Sequence, residues 1–231
     1  MRHTNWHYRL TLGARLLAAA GLLTPLAAAA GAVPLADAPA SAARQPAEAA
    51  SWRFHADHVL GTSMDLVAVS HDEATAQEAL AVVRAEIARL DQVLSSYRPD
   101  SELAALNRCS EMQVSADLFN VVAACEAWRE ATAGAFSGRL GRALASWQRA
   151  AATGQLDLAT LQREAAEAAA ATVVLDPATR TVRRPEAVEF AMDALAKGYI
   201  IDQAMQAARR QVAGLDGLLL DIGGDMRSWG R

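Results

Sequence analysis

Two stretches near the C-terminal end decide how this chain folds: MDALAKGYIID at residues 192–202 and LLLDIGGD at residues 218–225. The first carries a single lysine, Lys197, and predicts a strand-to-helix junction, with the helix itself over residues 199–212. The second predicts a buried strand over residues 217–222, because its apolar residues run directly into a Gly-Gly turn. The two stretches together predict a helix between strands.

The rest of the body alternates between helical and strand patterns. Apolar residues recur at spacings of four and three over residues 79–94, which indicates one face of a helix that starts near Asp72. Turn residues at 176–179 predict a hairpin. Because helices and strands are mixed and hairpins occur, we expect an α+β fold of mixed helices and antiparallel sheet, not a doubly wound parallel sheet. The other predicted elements are strands over residues 52–55, 65–69, 172–175, 181–183 and 188–192, and helices over residues 117–132, 139–150 and 158–171, with a short helix after residue 101.

The N-terminus has the pattern of a secretory signal peptide. Three arginines precede an uncharged apolar run over residues 16–31, and small residues follow, so we expect residues 1–32 to direct export and to be cleaved. A membrane anchor is the alternative, but the run is short for a span and Pro25 interrupts it. No cysteine lies near the cleavage region, so a lipoprotein is not expected. Residues 33–50 are rich in Ala and Pro and indicate a linker, and residues 51–231 form the body.

Composition limits the classes of function. The 231 residues carry a formal net charge of −4 with both signs mixed, which argues against a nucleic-acid partner. The body is the right length for one domain. The two cysteines, Cys109 and Cys125, are equally compatible with a disulfide in an oxidising compartment and with two ordinary thiols. We expect neither to carry the function.

Lys197 and Gly198 have the character of an anion site. A helix N-terminus offers unpaired backbone N–H groups and a partial positive charge, and a lysine adds a full charge. Glycine permits the close approach of a diphosphate. The alternative is an ordinary surface lysine before a helix, and this stretch by itself favours that alternative.

Three further segments each admit a functional and a purely structural interpretation. Tyr97 follows a helix end, where an exposed ring stacks on a flat heterocycle or instead seals the edge of the core. Residues 134–137 are mostly small, apart from Phe136, and suit either a ligand along the backbone or a plain turn between helices. The Gly-Gly turn lies between Asp221 and Asp225, whose carboxylates suit a metal or a ribose hydroxyl, or simply flank a hairpin.

The order of these segments resembles the ApbE family of FAD:protein FMN transferases. The resemblance extends from about residue 55 to the end and covers about the first two-thirds of a family domain. Residues 226–231 also have the pattern of a strand for which no later partner follows, so we expect an ApbE-like flavin transferase fold that is incomplete at the C-terminus. The matching motifs are Gly61-Thr62, residues 96–102 with Leu106-Asn107, residues 134–137, residues 194–199 with Asp202, and Gly223-Gly224-Asp225.

The resemblance implies an exported enzyme on the periplasmic side of a bacterial inner membrane. Such enzymes use Mg²⁺ to cleave FAD, attach FMN through its phosphate to a Thr or Ser hydroxyl of an acceptor flavoprotein, and release AMP. The acceptor would be an exported or membrane-bound redox protein. The resemblance assigns Tyr97 to packing on the flavin nucleotide, Lys197 to contact with the cofactor, and the backbone carbonyl of Ala194 to the metal. It assigns Ala135, Phe136 and Ser137 to the backbone stretch along the cofactor, and it assigns no general base.

The sequence departs from the family pattern at informative positions. Ala191 stands where the family carries Asp, and Asp193 stands where it carries Gly or Asn, so Asp193 is a candidate to compensate. Ser137 replaces another family Asp, and the family's Asp and Ser/Thr metal ligands are expected beyond Arg231. These departures support two alternatives: an exported FAD-binding module without transferase activity, and a fragment that does not fold alone because a sheet edge is open.

Overall fold

A computed structural model describes residues 48–230. The predicted signal peptide at residues 1–32 and the predicted linker as far as residue 47 lie outside the described residues, and both stay predictions. The helices are α1 (Glu73–Leu94), α2 (Glu102–Asn107), α3 (Ala116–Ala131), α4 (Gly141–Thr153), α5 (Leu158–Ala170) and α6 (Asp193–Gln211). The strands are β1 (Ala50–Val59), β2 (Thr62–Ser70), β3 (Glu111–Gln113), β4 (Val174–Asp176), β5 (Thr181–Arg183), β6 (Leu215–Ile222) and β7 (Asp225–Gly230).

The main sheet has four antiparallel strands in the order β1-β2-β6-β7. Side chains of a strand alternate between its two faces, and alternate residues of the two central strands are buried. This alternation gives the sheet one apolar face for the helices to cover. The buried residues of this face are Met64, Leu66 and Ala68 from β2 and Leu218, Leu220 and Ile222 from β6.

Helices α1 and α6 pack against each other and over the main sheet. The Asp72 side chain accepts a hydrogen bond from the Thr75 N–H and caps α1, as expected for the start of an amphipathic helix. The face predicted from the sequence is the buried one. Its residues are Ala79, Val83, Ile87, Leu90 and Leu94. None of the helices within residues 48–230 is long and apolar enough to cross a membrane.

A second, three-stranded sheet has the order β3-β5-β4. Its β4–β5 hairpin was predicted, and the Asp176 side chain closes the turn by accepting a hydrogen bond from the Ala178 N–H at 2.9 Å. Strand β3 was not predicted, because it is only three residues long and, unlike β4 and β5, is not joined to its partner by a recognisable hairpin turn. The mixed helices and antiparallel sheets confirm the expected α+β fold class.

Two predictions around the lysine stretch are wrong. Residues 188–192 form no strand, although Val188, Phe190 and Met192 are buried in alternation; the backbone there makes a single isolated bridge, between Glu189 and Leu140. Helix α6 begins at Asp193, six residues before the predicted start. No side chain caps this helix end, so the sequence carried only the acidic Asp193 in the first turn as a start signal.

The C-terminal strand pairs with the strand before it, as the hairpin interpretation of the Gly-Gly turn implied. No later partner strand was expected for residues 226–231, and β7 instead folds back on β6 through Gly223 and Gly224, with Ile222 paired to Asp225. Both glycines have positive φ, 60° and 91°, as a two-residue hairpin turn of type I′ requires.

The two cysteines are free thiols, Cys109 exposed and Cys125 buried. Burial, with a smaller contribution from the Glu126 carboxylate, raises the pKa of the Cys125 thiol to about 12. The reactive thiolate is therefore about a thousandfold scarcer at this cysteine than at a thiol of ordinary pKa. We expect iodoacetamide at pH 8 to label Cys109 alone in the folded chain and both cysteines in denaturant, as counted by mass spectrometry. Failure of either cysteine to react in denaturant without a reductant would instead mean a disulfide.

Candidate functional site

A cavity of about 640 Å³ opens between the β1–β2 turn, the C-terminal end of α1 with the loop that follows, and the first two turns of α6. This volume lies within the roughly 300–1,000 Å³ of small-molecule sites. The cavity joins segments that are far apart in the sequence, so only the fold creates it. Its lining includes His58, Leu60, Gly61, Asp91, Tyr97, Arg98, Asp193 and Lys197.

Tyr97 presents its ring to this cavity. Its side chain is 78% exposed, so the alternative that the ring seals the core is wrong. Its backbone N–H donates to the Ser95 hydroxyl at 3.3 Å, in the loop between α1 and α2. An exposed aromatic ring at the mouth of a polar cavity offers a face on which a flat heterocycle stacks.

Two cations line the cavity, and each is paired with carboxylates. Lys197 Nζ lies 3.4 Å from Asp225, and the Lys197 side chain is 31% exposed. Arg98 lies 3.7 Å from Asp91 and 3.2 Å from Asp100. Exposed ion pairs of this kind contribute little to stability, so an anionic ligand can replace the carboxylates at small cost. Lys197 lies one turn inside α6 and not at the predicted strand-to-helix junction. An anion beside it is therefore attracted mainly by the charge of the lysine and less by the helix N-terminus.

The Gly-Gly turn approaches the β1–β2 turn closely. A Cβ added to Gly223 would lie 2.6 Å from the Thr62 side chain, and the Gly223 N–H donates to the Ser63 carbonyl at 3.1 Å. This packing leaves Asp225 beside Lys197. The motif Gly223-Gly224-Asp225 therefore shapes the hairpin and supplies the carboxylate partner of the lysine. The metal or ribose role of the flanking carboxylates stays a prediction.

One hydrogen bond joins the two walls of the cavity directly. The Ser96 hydroxyl donates to Asp193 Oδ1 at 2.6 Å. Ser96 precedes Tyr97, and Asp193 is the first residue of α6. The negative charge of Asp193 is also favourable at that position, because the N-terminus of a helix carries partial positive charge.

Helix α2 connects the same two walls indirectly. At its N-terminus the Ser101 hydroxyl donates to the Ser95 carbonyl at 2.7 Å. At its C-terminus the Asn107 side chain donates to the Phe190 carbonyl and accepts from the Phe190 N–H, each at 2.9 Å. The buried Arg184 guanidinium donates to the carbonyl of Asn107 and to others nearby. Side chains therefore fix the segment before α6, where a strand was predicted. Sequence reasoning quoted Asn107 without a role and missed Arg184.

The predicted backbone stretch at Ala135, Phe136 and Ser137 does not line the cavity. The Ser137 hydroxyl accepts from the Arg139 N–H at 3.2 Å, and Phe136 packs against the core. The next residue, Gly138, accepts a hydrogen bond from the Ala191 N–H at 2.9 Å through its carbonyl. The loop thus lies beside the start of α6 but outside the cavity, and its assignment to the cofactor stays a prediction.

The carboxylates near the cavity are engaged with other side chains. Within residues 48–230 no group of three or more His, Cys, Asp or Glu side chains has the arrangement to hold a metal. The Asp193 carboxylate accepts from Ser96, and that of Asp225 pairs with Lys197. Ala194 is exposed but does not line the cavity, and its carbonyl lies within the first turn of α6. Its assignment to the metal stays a prediction.

Comparison with known proteins gives a family and a fold. The model of the ApbE family matches residues 60–231. The apo flavinyl transferase ApbE of Pseudomonas stutzeri has a TM-score of 0.67 and 20% identity, over 80% of this chain and 60% of its own. The flavin transferase ApbE of Vibrio cholerae has a TM-score of 0.64 and 18% identity, over 78% of this chain and 59% of its own. The ApbE protein of Thermotoga maritima has a TM-score of 0.63 and 22% identity, over 78% of this chain and 59% of its own.

These likenesses confirm the expected ApbE-like fold. The chain spans about 60% of the length of the P. stutzeri structure that it matches. No curated protein has a significantly matching sequence.

Proposed function

The chain belongs to the ApbE family, and from this premise we propose that it transfers FMN from FAD to a Thr or Ser hydroxyl of an acceptor flavoprotein, with release of AMP. The proposal extends to an exported or membrane-bound acceptor and to a site of action on the periplasmic side of a bacterial inner membrane. The pattern of the first 32 residues supports export.

The observation that carries the proposal is the placement of Tyr97 and Lys197 around one cavity. A dinucleotide with a flat ring and a central diphosphate needs an aromatic surface and a positive charge within one ligand length. The cavity offers both, with the ring 78% exposed and the lysine held only by an exposed ion pair. Arg98 adds a second positive charge to the lining.

The transfer is a phosphoryl-type displacement. The acceptor hydroxyl oxygen forms a bond to the phosphorus of the FMN half, and the bond from that phosphorus to the bridging oxygen breaks. The bridging oxygen leaves with AMP, and the hydroxyl proton passes to a base that the described residues do not identify. Lys197 opposes the negative charge of the diphosphate, and Tyr97 orients the ligand by stacking. Most of the catalytic effect in such reactions comes from positioning and charge stabilisation.

The proposal includes dependence on Mg²⁺, which the resemblance implies. Magnesium in nucleotide sites keeps several waters and is held by phosphate oxygens with one or two carboxylates, so an incomplete set of protein ligands is compatible with an ion that enters with the substrate. When bound, the ion would neutralise charge on the diphosphate.

We expect the purified chain to restore covalent flavin to an acceptor when FAD and Mg²⁺ are supplied. The assay uses an extract of source cells that lack this chain, with in-gel flavin fluorescence after denaturation and AMP measured by chromatography. Chelation of Mg²⁺ with EDTA should abolish both signals, and excess Mg²⁺ should restore them. The Tyr97→Ala variant tests whether both signals depend on this site, because it removes the ring that stacks on the ligand.

Two results would contradict this expectation, and each would lead to a different conclusion. Stoichiometric FAD binding without AMP or labelled acceptor would favour the FAD-binding module, which the departures at Ala191 and Ser137 also support. Absence of FAD binding would overturn both functions.

A further inference from the structure

Ser96 and Asp193 form a contact that the sequence interpretation did not anticipate. The Ser96 hydroxyl donates to Asp193 Oδ1 at 2.6 Å, across 97 positions of sequence. Hydrogen bonds from a hydroxyl to a carboxylate typically have this short length, and both side chains of this pair are exposed to solvent. The contact therefore joins the loop that carries Tyr97 to the helix that carries Lys197.

The loop that carries Tyr97 is anchored on either side of the ring, by Ser101 to the Ser95 carbonyl at 2.7 Å and by Arg108 to the Pro99 carbonyl at 3.0 Å, but Tyr97 itself is exposed. The ring is 78% exposed, and the Tyr97 backbone N–H makes only a long hydrogen bond, 3.3 Å, to Ser95 within the same loop. The Asp193 side is firm, because α6 packs through buried residues on α1 and the main sheet. The hydrogen bond from this loop to α6 therefore constrains where the ring stands relative to Lys197.

Asp193 has two competing roles. It stands where related sequences are expected to carry Gly or Asn, and it is two residues from Ala191, where they carry Asp. As a metal ligand it would need its charge, whereas as a hydrogen-bond acceptor it needs only an oxygen. The observed bond from Ser96 uses Oδ1, and no other carboxylate joins Asp193 in a metal-binding group within the described part of the chain.

We propose that Ser96 and Asp193 are positioning residues that hold the Tyr97 ring over the cavity, and that Asp193 serves as a hydrogen-bond acceptor and not as a metal ligand. The proposal deepens the function proposed above, because it rests on FAD as the ligand that stacks on Tyr97. In this role the Asp193 side chain only accepts a hydrogen bond from Ser96, which the side-chain oxygen of asparagine also does.

The first test needs no ligand. Chymotrypsin cleaves after an accessible Tyr97, and the rate of this cut in the full chain, followed by mass spectrometry, reports how firmly the loop is held. We expect Ser96→Ala and Asp193→Ala each to speed the cut by about tenfold, since a hydrogen bond to a charged group is lost. The double variant should be no faster than either single variant, and Asp193→Asn should return the rate to within about threefold of the unaltered chain.

The second test measures FAD affinity by quenching of flavin fluorescence, with and without Mg²⁺. Ser96→Ala and Asp193→Ala should each weaken FAD binding by about tenfold, and Asp193→Asn should bind FAD almost as tightly as the unaltered chain. In a Tyr97→Ala background, Ser96→Ala should cause no further loss of affinity. Loss in Asp193→Asn as large as in Asp193→Ala, seen only with Mg²⁺, would overturn the proposal in favour of a metal ligand. Unchanged cleavage rates in all variants would also overturn it. Altered cleavage rates in a chain that binds no FAD would support the contact and overturn the proposed function alone.

Discussion

Replacing Glu126 with alanine should lower the free energy of unfolding by about 3–5 kcal/mol, because it leaves a buried guanidinium without its counter-charge. The partner is Arg139, whose side chain is 2% exposed. Both carboxylate oxygens of Glu126 accept hydrogen bonds from this guanidinium, and the distance from Arg139 Nε to Glu126 Oε1 is 2.7 Å. The third guanidinium nitrogen, Nη1, donates to the carbonyls of Ala168 and Ala171. The effect is measured by urea unfolding of the variant and of the unaltered chain.

The matched controls separate the buried charge from the loss of a side chain. Glu130→Ala, at an exposed position of α3, should change stability by less than about 0.5 kcal/mol. The double variant Glu126→Ala with Arg139→Met should recover most of the loss, since replacing a buried ion pair with apolar residues is often neutral. A Glu126→Ala loss below about 1 kcal/mol would mean that water reaches Arg139.

Replacing Lys197 with alanine should lower kcat/KM for FMN transfer by about a hundredfold, equivalent to about 2.7 kcal/mol of transition-state stabilisation. The lysine is the cation of α6 that lines the cavity, and phosphoryl transfer depends on charges placed against the reacting phosphates. The measurement is AMP release at limiting FAD, with acceptor in excess. The thermal unfolding midpoint should barely move, because the ion pair with Asp225 is exposed.

Two variants test whether the charge of Lys197 is the cause. Lys197→Arg keeps the charge and should retain more activity than Lys197→Ala. Arg210→Ala removes a cation from the far end of the same helix and should leave kcat/KM unchanged. A loss of less than threefold in Lys197→Ala would show that the diphosphate does not lie against this residue.

Regular patterns were predictable where the physical signal is local. The apolar face of α1 followed from spacing alone, and the β4–β5 hairpin followed from its turn residues. The start of α6 was not predictable in this way, because Gly198 lies inside the helix and Met192 provides no side-chain cap. Residues 188–192 have the alternation of a strand, but their backbone partners include one isolated bridge to Leu140 and the side-chain amide of Asn107, and no strand within residues 48–230 pairs with them.

The site was predictable in its parts and not in its connections. Residue type made Tyr97 and Lys197 candidates, the resemblance to the ApbE family assigned both to the ligand, and the fold brings both to one cavity. The bond from Ser96 to Asp193 and the buried guanidinium of Arg184 depend on contacts between distant segments. No local pattern encodes such contacts, so they became visible only in three dimensions.

Helix α2 has a consequence for how this domain tolerates change. Its two ends are tied to opposite walls of the cavity, Ser101 to Ser95 and Asn107 to Phe190. An inserted residue would lengthen the helix by about 1.5 Å and rotate everything after it by about 100°, which would carry Asn107 away from its backbone partner. The length of α2 therefore sets the distance between the two walls of the cavity. Insertions and deletions between relatives should fall in the connections around this helix and spare the six residues within it.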